Sequence, residues 1–439
     1  MLDAASPARC EWVELLGDDS RWQPLLHMHR PYETLTHWAL AAHVERTRQR
    51  GTGPLTGRPL DLVLSTGDNI DNAQHNELQT YLAILGGGHT RLSAYGSVQD
   101  ADRHCGAGPW PFWCPEATEA DAWQARGYPR VPDFLHRASE TLHSNGPGCA
   151  WASLPGNHDL MRQGTALPEP GIEAIAIGPH KALRKPKGFD PADPLNLFVD
   201  EPAAFSRGAD RQVQALASRA AVTRHDWLLA HLRSGAAGIN ASQAQTGFAD
   251  TVIDTEHVRL ILLDTNHPAG DYQGSVGRAQ LAWLDAQLRE ADAQRGRLAI
   301  LATHHGSRTL TNVRTPCDER AHTQALLAVA HQHPSLVAWL SGHRHVHEVL
   351  AHPGPAGGFW EITTASLIDW PSQARAVELL RRPDGQLELV CTLVDHEAPP
   401  DSLAALHRAL AHRFAGPRAR LMQGGPGDGD VRLLLPARQ

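Results

Sequence analysis

Four short clusters of metal-ligand side chains recur along the sequence, each directly after an apolar run. They are Gly67-Asp68, Gly156-Asn157-His158-Asp159, His304-His305-Gly306 and Gly342-His343-Arg344-His345. Imidazole nitrogens combined with carboxylate and amide oxygens suit Mn, Fe, Zn or Co. Two such ions about 3.5 to 4 Å apart activate water and offset the charge of a phosphoryl group. The combination therefore indicates metal-assisted hydrolysis of a phosphate ester.

The four clusters differ in how specific they are. Gly67-Asp68 alone is an ordinary turn dipeptide. Asp71 and Asn72, just after it, could equally cap the helix that the sequence predicts from about residue 74. The cluster Gly156-Asn157-His158-Asp159 is a much stronger signal, because it follows a strand and is followed in turn by two histidine clusters. A histidine in such a place can also protonate the leaving oxygen of an ester, since its ordinary pKa lies near neutral pH.

The runs in front of the clusters read as strands, and longer amphipathic runs between them read as helices. The predicted strands are residues 61–66, 149–154, 297–303 and 336–340, and the clearest predicted helices are residues 277–294 and 319–333. This alternation favours a layered α/β fold. Ligands gather at the carboxyl ends of strands in such sheets, so the four clusters should meet. Further apolar runs after residue 355 predict a second sheet.

The composition excludes several classes of partner. The chain has 439 residues and a formal net charge of -8, which provides no positive field for a phosphate backbone. We therefore expect no nucleic-acid partner and disfavour a nuclease, whereas a small phosphoester substrate fits. No apolar run approaches the length of about 18 residues that would span a bilayer. Most of the 27 histidines cannot be ligands, and those on amphipathic runs are assigned to helix packing or solvent: His37, His43, His407 and His412.

The order of the four clusters resembles the calcineurin-like metallophosphoesterase superfamily. Other segments are similar to one largely actinobacterial, mostly uncharacterised subfamily: Ser6-Pro7-Ala8-Arg9, residues 66–72 with Asn76-Glu77-Leu78, and residues 360–366. The similarity extends from about residue 3 to residue 397. We expect a single domain over residues 1–397, with insertions at about 85–148 and 160–255 that roof the site. A C-terminal helix and a loose tail are expected over residues 398–439.

The resemblance implies a four-layer αββα sandwich, in which two facing sheets are flanked by helices. It also implies two divalent metal ions, which would be Mn, Fe or Zn. Asp68 would bridge both ions, and Asn157, His304 and His343 would complete one site. His345 would bind the other ion.

The resemblance assigns catalytic and supporting roles as well. His158 would protonate the leaving group or steady the transition state, and Asp159 would orient it, while a metal-bridging hydroxide attacks phosphorus. His305 is expected to support the ligands by hydrogen bonding rather than to bind an ion directly. Asn69, next to the bridging aspartate, would support the ligands in the same way.

The chain departs from the superfamily pattern near its beginning. The superfamily carries an Asp-x-His at the end of its first strand, and none occurs before residue 67. Asp102-Arg103-His104 has no strand before it, and His27-Met28-His29 lies after the segment that the motif should precede. We therefore expect that this chain starts late, at an internal Met, and that the full protein extends upstream through a strand that ends in Asp-x-His. If the start is genuine, the second metal site is reduced to Asp68 and His345. As written, the sequence carries no export signal and predicts a cytoplasmic protein, although an upstream extension could contain one.

Two alternatives follow from these departures. Leu367 stands where the subfamily is expected to have a histidine, which would shift the substrate preference if that histidine lines the site. Loss of half a metal site would also permit a degenerate member of the fold that acts as a non-catalytic binding or scaffold protein.

Overall fold

The computed structural model describes residues 3, 5–92, 113–116, 121–208, 210–247, 249–315 and 320–438. Asp102-Arg103-His104 lies outside these residues. The α-helices are α1 (Thr36–Arg50), α2 (His75–Leu85), α3 (Ala122–Ala125), α4 (Phe134–Ala138), α5 (Asn157–Leu160), α6 (Pro170–Ile177), α7 (Pro194–Asp200), α8 (Arg224–Arg233), α9 (Ala241–Thr246), α10 (Arg278–Asp292), α11 (Thr323–Ala330), α12 (Leu403–Ala415) and α13 (Ala419–Met422). The strands are β1 (Val63–Ser65), β2 (His89–Thr90), β3 (Leu142–His143), β4 (Trp151–Ser153), β5 (His180–Ala182), β6 (Asp210–Gln212), β7 (Thr251–Asp254), β8 (Val258–Leu263), β9 (Val276–Gly277), β10 (Leu298–Thr303), β11 (Arg320–Ala321), β12 (Leu336–Ser341), β13 (Glu348–His352), β14 (Phe359–Thr363), β15 (Ala374–Arg381), β16 (Leu387–Val394) and β17 (Val431–Leu435).

A six-stranded sheet lies at the centre of this mixed α/β fold, in the order β13-β14-β12-β10-β8-β7. Its four middle strands are parallel, whereas β13 and β7 pair antiparallel at the two edges. The central strands β10 and β12 are the apolar runs that the sequence predicts over residues 297–303 and 336–340. Both are buried along most of their length, as expected for parallel strands that are covered on both faces.

Helices α10 and α11 cover one face of this sheet. Leu301 and Trp339 of the sheet share a buried cluster with Leu284 and Leu326 of the helices. Helix α11 begins later than predicted, at Thr323, because the two residues of β11 pair with β9 instead. None of the helices in the described part of the chain is long and apolar enough to cross a membrane.

Two smaller sheets cover the opposite face. Strands β1 and β4 pair in parallel, and Leu64 packs against Leu262 of the large sheet. Strands β15, β16 and β17 form an antiparallel sheet, in which Leu389 packs against Ala338. Helices α1, α2 and α8 contribute to the buried cluster that covers β1 and β4 from outside. The strands that precede the first two ligand clusters are therefore held between helices and the large sheet.

The segment before α1 folds back into the molecule through three short 3-10 helices, Glu11–Leu16, Ser20–Met28 and Glu33–Leu35. Trp12 and Trp22 pack against Phe205 of the second predicted insertion. Arg9 and Arg30 are buried in this segment as well. Buried arginines need partners, and both of these contact buried carboxylates.

The C-terminal segment differs from the expected loose tail. Helix α12 forms as predicted, but residues 431–435 form strand β17, which pairs with β16. Leu433 and Leu435 point into the buried cluster against the large sheet. Burial of these two leucines offsets the entropy lost when the segment becomes ordered. The glycines just before this segment led to the prediction of a loose tail.

Candidate metal centre

The loops that follow β1, β4, β10 and β12 meet at the carboxyl ends of these strands. Their close contact depends on glycine at two positions. At Gly67, where φ is +103°, a Cβ atom would lie 2.6 Å from Nδ1 of His304 and 2.7 Å from the Gly156 nitrogen. At Gly156, a Cβ atom would lie 2.3 Å from the Asp68 nitrogen. A side chain at either position would therefore push the loops apart.

Four side chains, one from each loop, direct ligand atoms at one another. Oδ1 of Asn157 lies 2.9 Å from Nε2 of His304 and 3.1 Å from Nδ1 of His343. Nε2 of His304 also lies 3.2 Å from Oδ2 of Asp68. Atoms that bind one ion at about 2.0–2.2 Å lie about 2.8–3.6 Å from their neighbours in the ligand set. The spacing of Asp68, Asn157, His304 and His343 therefore fits a single divalent ion.

Hydrogen bonds behind the ligands determine which atoms face the site. Nδ1 of His304 lies 2.7 Å from the Thr66 carbonyl oxygen, which assigns the proton to Nδ1 and leaves Nε2 with a lone pair. Nδ2 of Asn157 donates to the Gly164 carbonyl at 2.7 Å, so its Oδ1 faces the histidines. Support of this kind orients metal ligands in proteins.

His305 lies beside the ligands but both of its ring nitrogens are already used. One ligand atom from each of His304, His305 and His343 lies within 4.8 Å of the others. However, Nδ1 of His305 contacts Oγ1 of Thr265 at 2.8 Å, and Nε2 contacts the Tyr272 carbonyl at 3.0 Å. We therefore place the carboxylate of the first cluster, and not His305, in the ligand set.

The histidine predicted to bind the second ion has different neighbours. Nδ1 of His345 lies 2.5 Å from Oδ2 of Asp369 and 3.4 Å from Nη2 of Arg30. A carboxylate behind a histidine is a frequent way of orienting a metal ligand, because it leaves Nε2 to face the ion. Within the described part of the chain, the hydrogen bonds of His345 reach only this carboxylate and this guanidinium. Binding of a second ion by Asp68 and His345 stays a prediction.

His158 lies next to the ligand set, and the carboxylate that contacts its ring is that of Asp71, which the sequence did not predict for this role. Its backbone nitrogen donates to Oδ1 of Asp68 at 3.0 Å. Its Nδ1 lies 3.0 Å from Oδ1 of Asp71 and 3.2 Å from the Asp71 carbonyl oxygen. Asp71 therefore orients the imidazole ring. The signal in the sequence was its position three residues after Asp68, where a helix cap was an equally good interpretation.

Asp159 does not orient His158, contrary to the prediction. Its Oδ2 accepts hydrogen bonds from the Gly156 nitrogen at 2.7 Å and from Nδ2 of Asn69 at 3.2 Å. Its Oδ1 is buried and has no partner among the described residues. The reason is that Asp159 is the third residue of α5, and its side chain turns back to accept the hydrogen bond of the Gly156 nitrogen just before the helix. Asp159 and Asn69 thus join the loops after β4 and β1 behind the ligands.

The charges around His158 determine its ionisation. Burial alone would lower the pKa of His158, but Asp68 and Asp71 raise it to about 9. Burial raises the pKa of Asp159 to about 6, and Asp68 adds to this increase. A histidine that keeps its proton at neutral pH is suited to donate it.

The comparisons with known proteins give one informative relative. No protein-family model matches the chain. A probable cyclic nucleotide phosphodiesterase from Synechococcus sp. (strain WH7803) is 30% identical over 99 residues, which are 23% of this chain and 37% of the relative. The chain spans little more than a third of the relative's length, so the activity of the whole relative is not transferred to it here.

Two solved structures are weakly similar. A dimetal phosphatase from Danio rerio has 16% sequence identity and a TM-score of 0.26, over 35% of this chain and 60% of the phosphatase chain. The sulfate thiohydrolase SoxB from Thermus thermophilus, in complex with glycerol, has 13% identity and a TM-score of 0.23, over 44% of this chain and 38% of the SoxB chain. The functional assignment therefore depends on the geometry of the site.

Proposed function

We propose that this chain is a metal-dependent hydrolase of a phosphomonoester or a phosphodiester. The observation that carries the proposal is the convergence of ligand atoms from Asp68, Asn157, His304 and His343 at separations of 2.9–3.2 Å. These atoms come from four separate loops, and His158 is held beside them by Asp71. Such a set, with an acid next to a cation site, is the arrangement expected for metal-assisted hydrolysis.

Each residue of the site has a role in this proposal. The four converging side chains would hold one divalent ion, and Asp68 with His345 would contribute to a second, with Mn, Fe and Zn as the candidate metals. Bound ions of this type supply positive charge for the phosphoryl oxygens and lower the pKa of water. His158 would donate its proton to the departing oxygen, and Asp71 would hold the ring in the required direction. His305, Asn69 and Asp159 would keep the loops in place from behind.

The proposal also includes the finer description of the fold. Helices on the outer side of both sheet layers support a four-layer αββα sandwich, with residues 1–397 as one domain and insertions at about 85–148 and 160–255. The clusters quoted from the sequence support the largely actinobacterial subfamily of calcineurin-like metallophosphoesterases. A small phosphoester is the proposed substrate, and no nucleic-acid partner is proposed for a chain with net charge -8.

A non-catalytic scaffold is the second candidate, and one observation favours it. The guanidinium of Arg30 lies 3.4 Å from Nδ1 of His345, beside the incomplete second ligand set. Asp68 and His345 are only two of the three or four protein ligands that such an ion usually takes. A protein that binds one ion without hydrolysis would fit this arrangement.

Hydrolysis of p-nitrophenyl phosphate and bis(p-nitrophenyl) phosphate by the purified chain with added Mn²⁺ tests the two candidates. We expect activity that disappears on chelation and that falls about 10²- to 10⁴-fold in His158→Gln. His257→Gln, at a histidine whose side chain is 72% exposed, is the matched control and should keep full activity. Binding of Mn²⁺ without hydrolysis of either ester would favour the scaffold. Activity that survives His158→Gln unchanged would contradict the role of this histidine.

A further inference from the structure

A chain of buried ion pairs runs behind the candidate metal centre and begins at His158. The carboxylate that contacts His158 belongs to Asp71, and its second oxygen, Oδ2, accepts a hydrogen bond from Nη1 of Arg9. The Arg9 side chain is fully buried, so this contact is shielded from water and from salt. Nε of Arg9 also donates to Oε1 of Glu11 at 3.0 Å. Arg9 therefore fixes the carboxylate that fixes His158.

The other end of the chain of ion pairs is His345. The carboxylate that contacts it belongs to Asp369, which Arg30 holds through Nε at 2.5 Å and Nη2 at 2.7 Å. The Tyr32 hydroxyl also donates to Oδ1 of Asp369 at 3.1 Å. A two-point contact with a planar guanidinium fixes both the position and the direction of a carboxylate. Arg30 therefore acts on His345 as Arg9 acts on His158.

Glu33 joins the two halves. Its Oε2 accepts a hydrogen bond from Nη2 of Arg9, and its Oε1 accepts one from the Arg30 backbone nitrogen at 2.8 Å. Oε1 also lies 3.8 Å from Nη1 of Arg30. Glu33 is only 4% exposed, and its two carboxyl oxygens lie between two buried guanidinium groups.

We propose that Glu33 is a positioning residue that sets His158 and His345 relative to each other through Arg9 and Arg30. The inference rests on the proposed function, because it gives the segment from residue 9 to residue 33 a part in the reaction. Among the described residues, Arg9 acts on the site through Asp71, and Arg30 acts through Asp369 and through its own contact with Nδ1 of His345 at 3.4 Å. A network that serves stability alone is the competing explanation, since the loss of one partner from a buried ion pair usually destabilises a protein.

The test compares Glu33→Gln, Arg9→Lys and Asp369→Asn with a matched control, Glu173→Gln. Oε1 of Glu173 also accepts hydrogen bonds from a fully buried arginine, Arg162, but outside the chain of ion pairs. Two kinds of measurement are made on each variant whose thermal unfolding shows a folded protein. They are the affinity for Mn²⁺ by calorimetry and the kcat and KM for bis(p-nitrophenyl) phosphate at saturating Mn²⁺.

The two ends should respond separately, and Glu33 should affect both. Asp369→Asn should weaken Mn²⁺ binding about 10- to 100-fold, because it removes the support of a ligand. Arg9→Lys should lower kcat about 10- to 100-fold, because it displaces a proton donor without touching the ligands, and should leave the Mn²⁺ affinity unchanged. Glu33→Gln should lower both the Mn²⁺ affinity and kcat. Glu173→Gln should lower neither, even where it reduces thermal stability.

Folded Glu33→Gln protein with the Mn²⁺ affinity and the kcat of the Glu173→Gln control would overturn the proposal. Arg30→Lys takes the place of Glu33→Gln if the latter does not fold, since it breaks the two-point contact with Asp369, and an unchanged Mn²⁺ affinity would again overturn the proposal. If the unsubstituted chain hydrolyses neither ester, the proposed function fails on its own. In that case a lowered Mn²⁺ affinity of Glu33→Gln still supports the link to His345, and an unchanged affinity overturns it.

Discussion

His231 on α8 should make the stability of this protein depend on pH in a way that one substitution can isolate. Its ring is fully buried and stacks on Trp227, with ring centroids 3.6 Å apart. Nδ1 lies 2.8 Å from the Trp227 carbonyl oxygen, and Nε2 has no hydrogen-bond partner among the described residues. Burial lowers the pKa of His231 to about 3, and only the contact with the Trp227 carbonyl opposes this decrease.

The sign and size of the effect follow from this pKa. In the unfolded chain the histidine takes up a proton near pH 6.5, whereas in the folded protein it stays neutral down to about pH 3. Its contribution is therefore complete above pH 6.5 and is lost as the pH falls from 6.5 toward 3. Between pH 7 and pH 5 the loss amounts to about 2 kcal/mol of unfolding free energy for this single group.

His231→Phe removes the titration and keeps an aromatic ring on Trp227. Urea unfolding at pH 7 and pH 5, followed by tryptophan fluorescence, gives the difference in unfolding free energy between the variant and the unsubstituted protein. We expect this difference to shift in favour of the variant by about 2 kcal/mol at pH 5 relative to pH 7. His257→Phe, at the exposed histidine, should show no such shift. An equal difference at both pH values for His231→Phe would refute the assignment of a buried neutral ring.

Three further predictions concern the site and the fold. Asp71→Asn should lower kcat about 100-fold without loss of Mn²⁺ affinity, because it removes the carboxylate behind the proton donor. Asp159→Asn should mainly lower thermal stability and should change kcat little. An equal loss of kcat in the Asp71→Asn and Asp159→Asn variants would contradict this distinction. Gly67→Ala should weaken Mn²⁺ binding, since its Cβ would lie 2.6 Å from a ligand histidine, whereas Gly57→Ala, where nothing lies within 4 Å, should not. Leu433→Ala should reduce the unfolding free energy by about 2–5 kcal/mol in urea, and a loss no larger than that of Leu434→Ala, at a residue that is 49% exposed, would mean that β17 does not pack as described.

The sequence predicted those parts of the site that depend on local pattern. Apolar runs determine β1, β4, β10 and β12, and a ligand residue just after a strand must lie at the end of that strand. Asp68, Asn157, His304 and His343 could therefore be expected to meet. The orientation of His158 could not be predicted in the same way, because Asp68 has a φ of +56°, which turns the following loop and brings Asp71 to the ring.

The parts that sequence reasoning missed depend on contacts between distant residues. Arg30 and Asp369 are separated by 339 positions, and no local period or motif connects them. Strand β17 was missed for a related reason. Its alternating leucines form a buried face only because they pack on the large sheet, which is distant in sequence. The sequence around a buried arginine or a short apolar run does not indicate which distant residues it contacts.

The 339-residue separation between Arg30 and Asp369 has a consequence for synthesis of the protein. During translation, Arg30 leaves the ribosome long before its partner carboxylate exists, so the segment around it cannot reach its final place in a nascent chain. Contacts that close such long loops form late and slowly in folding. A chain that stops before residue 369 would leave the Arg30 guanidinium without its two-point contact and would expose Tyr32, which packs on His407 and Phe414. We expect such incomplete chains to be bound by chaperones or degraded, so that the candidate site appears only in molecules synthesised almost to their end.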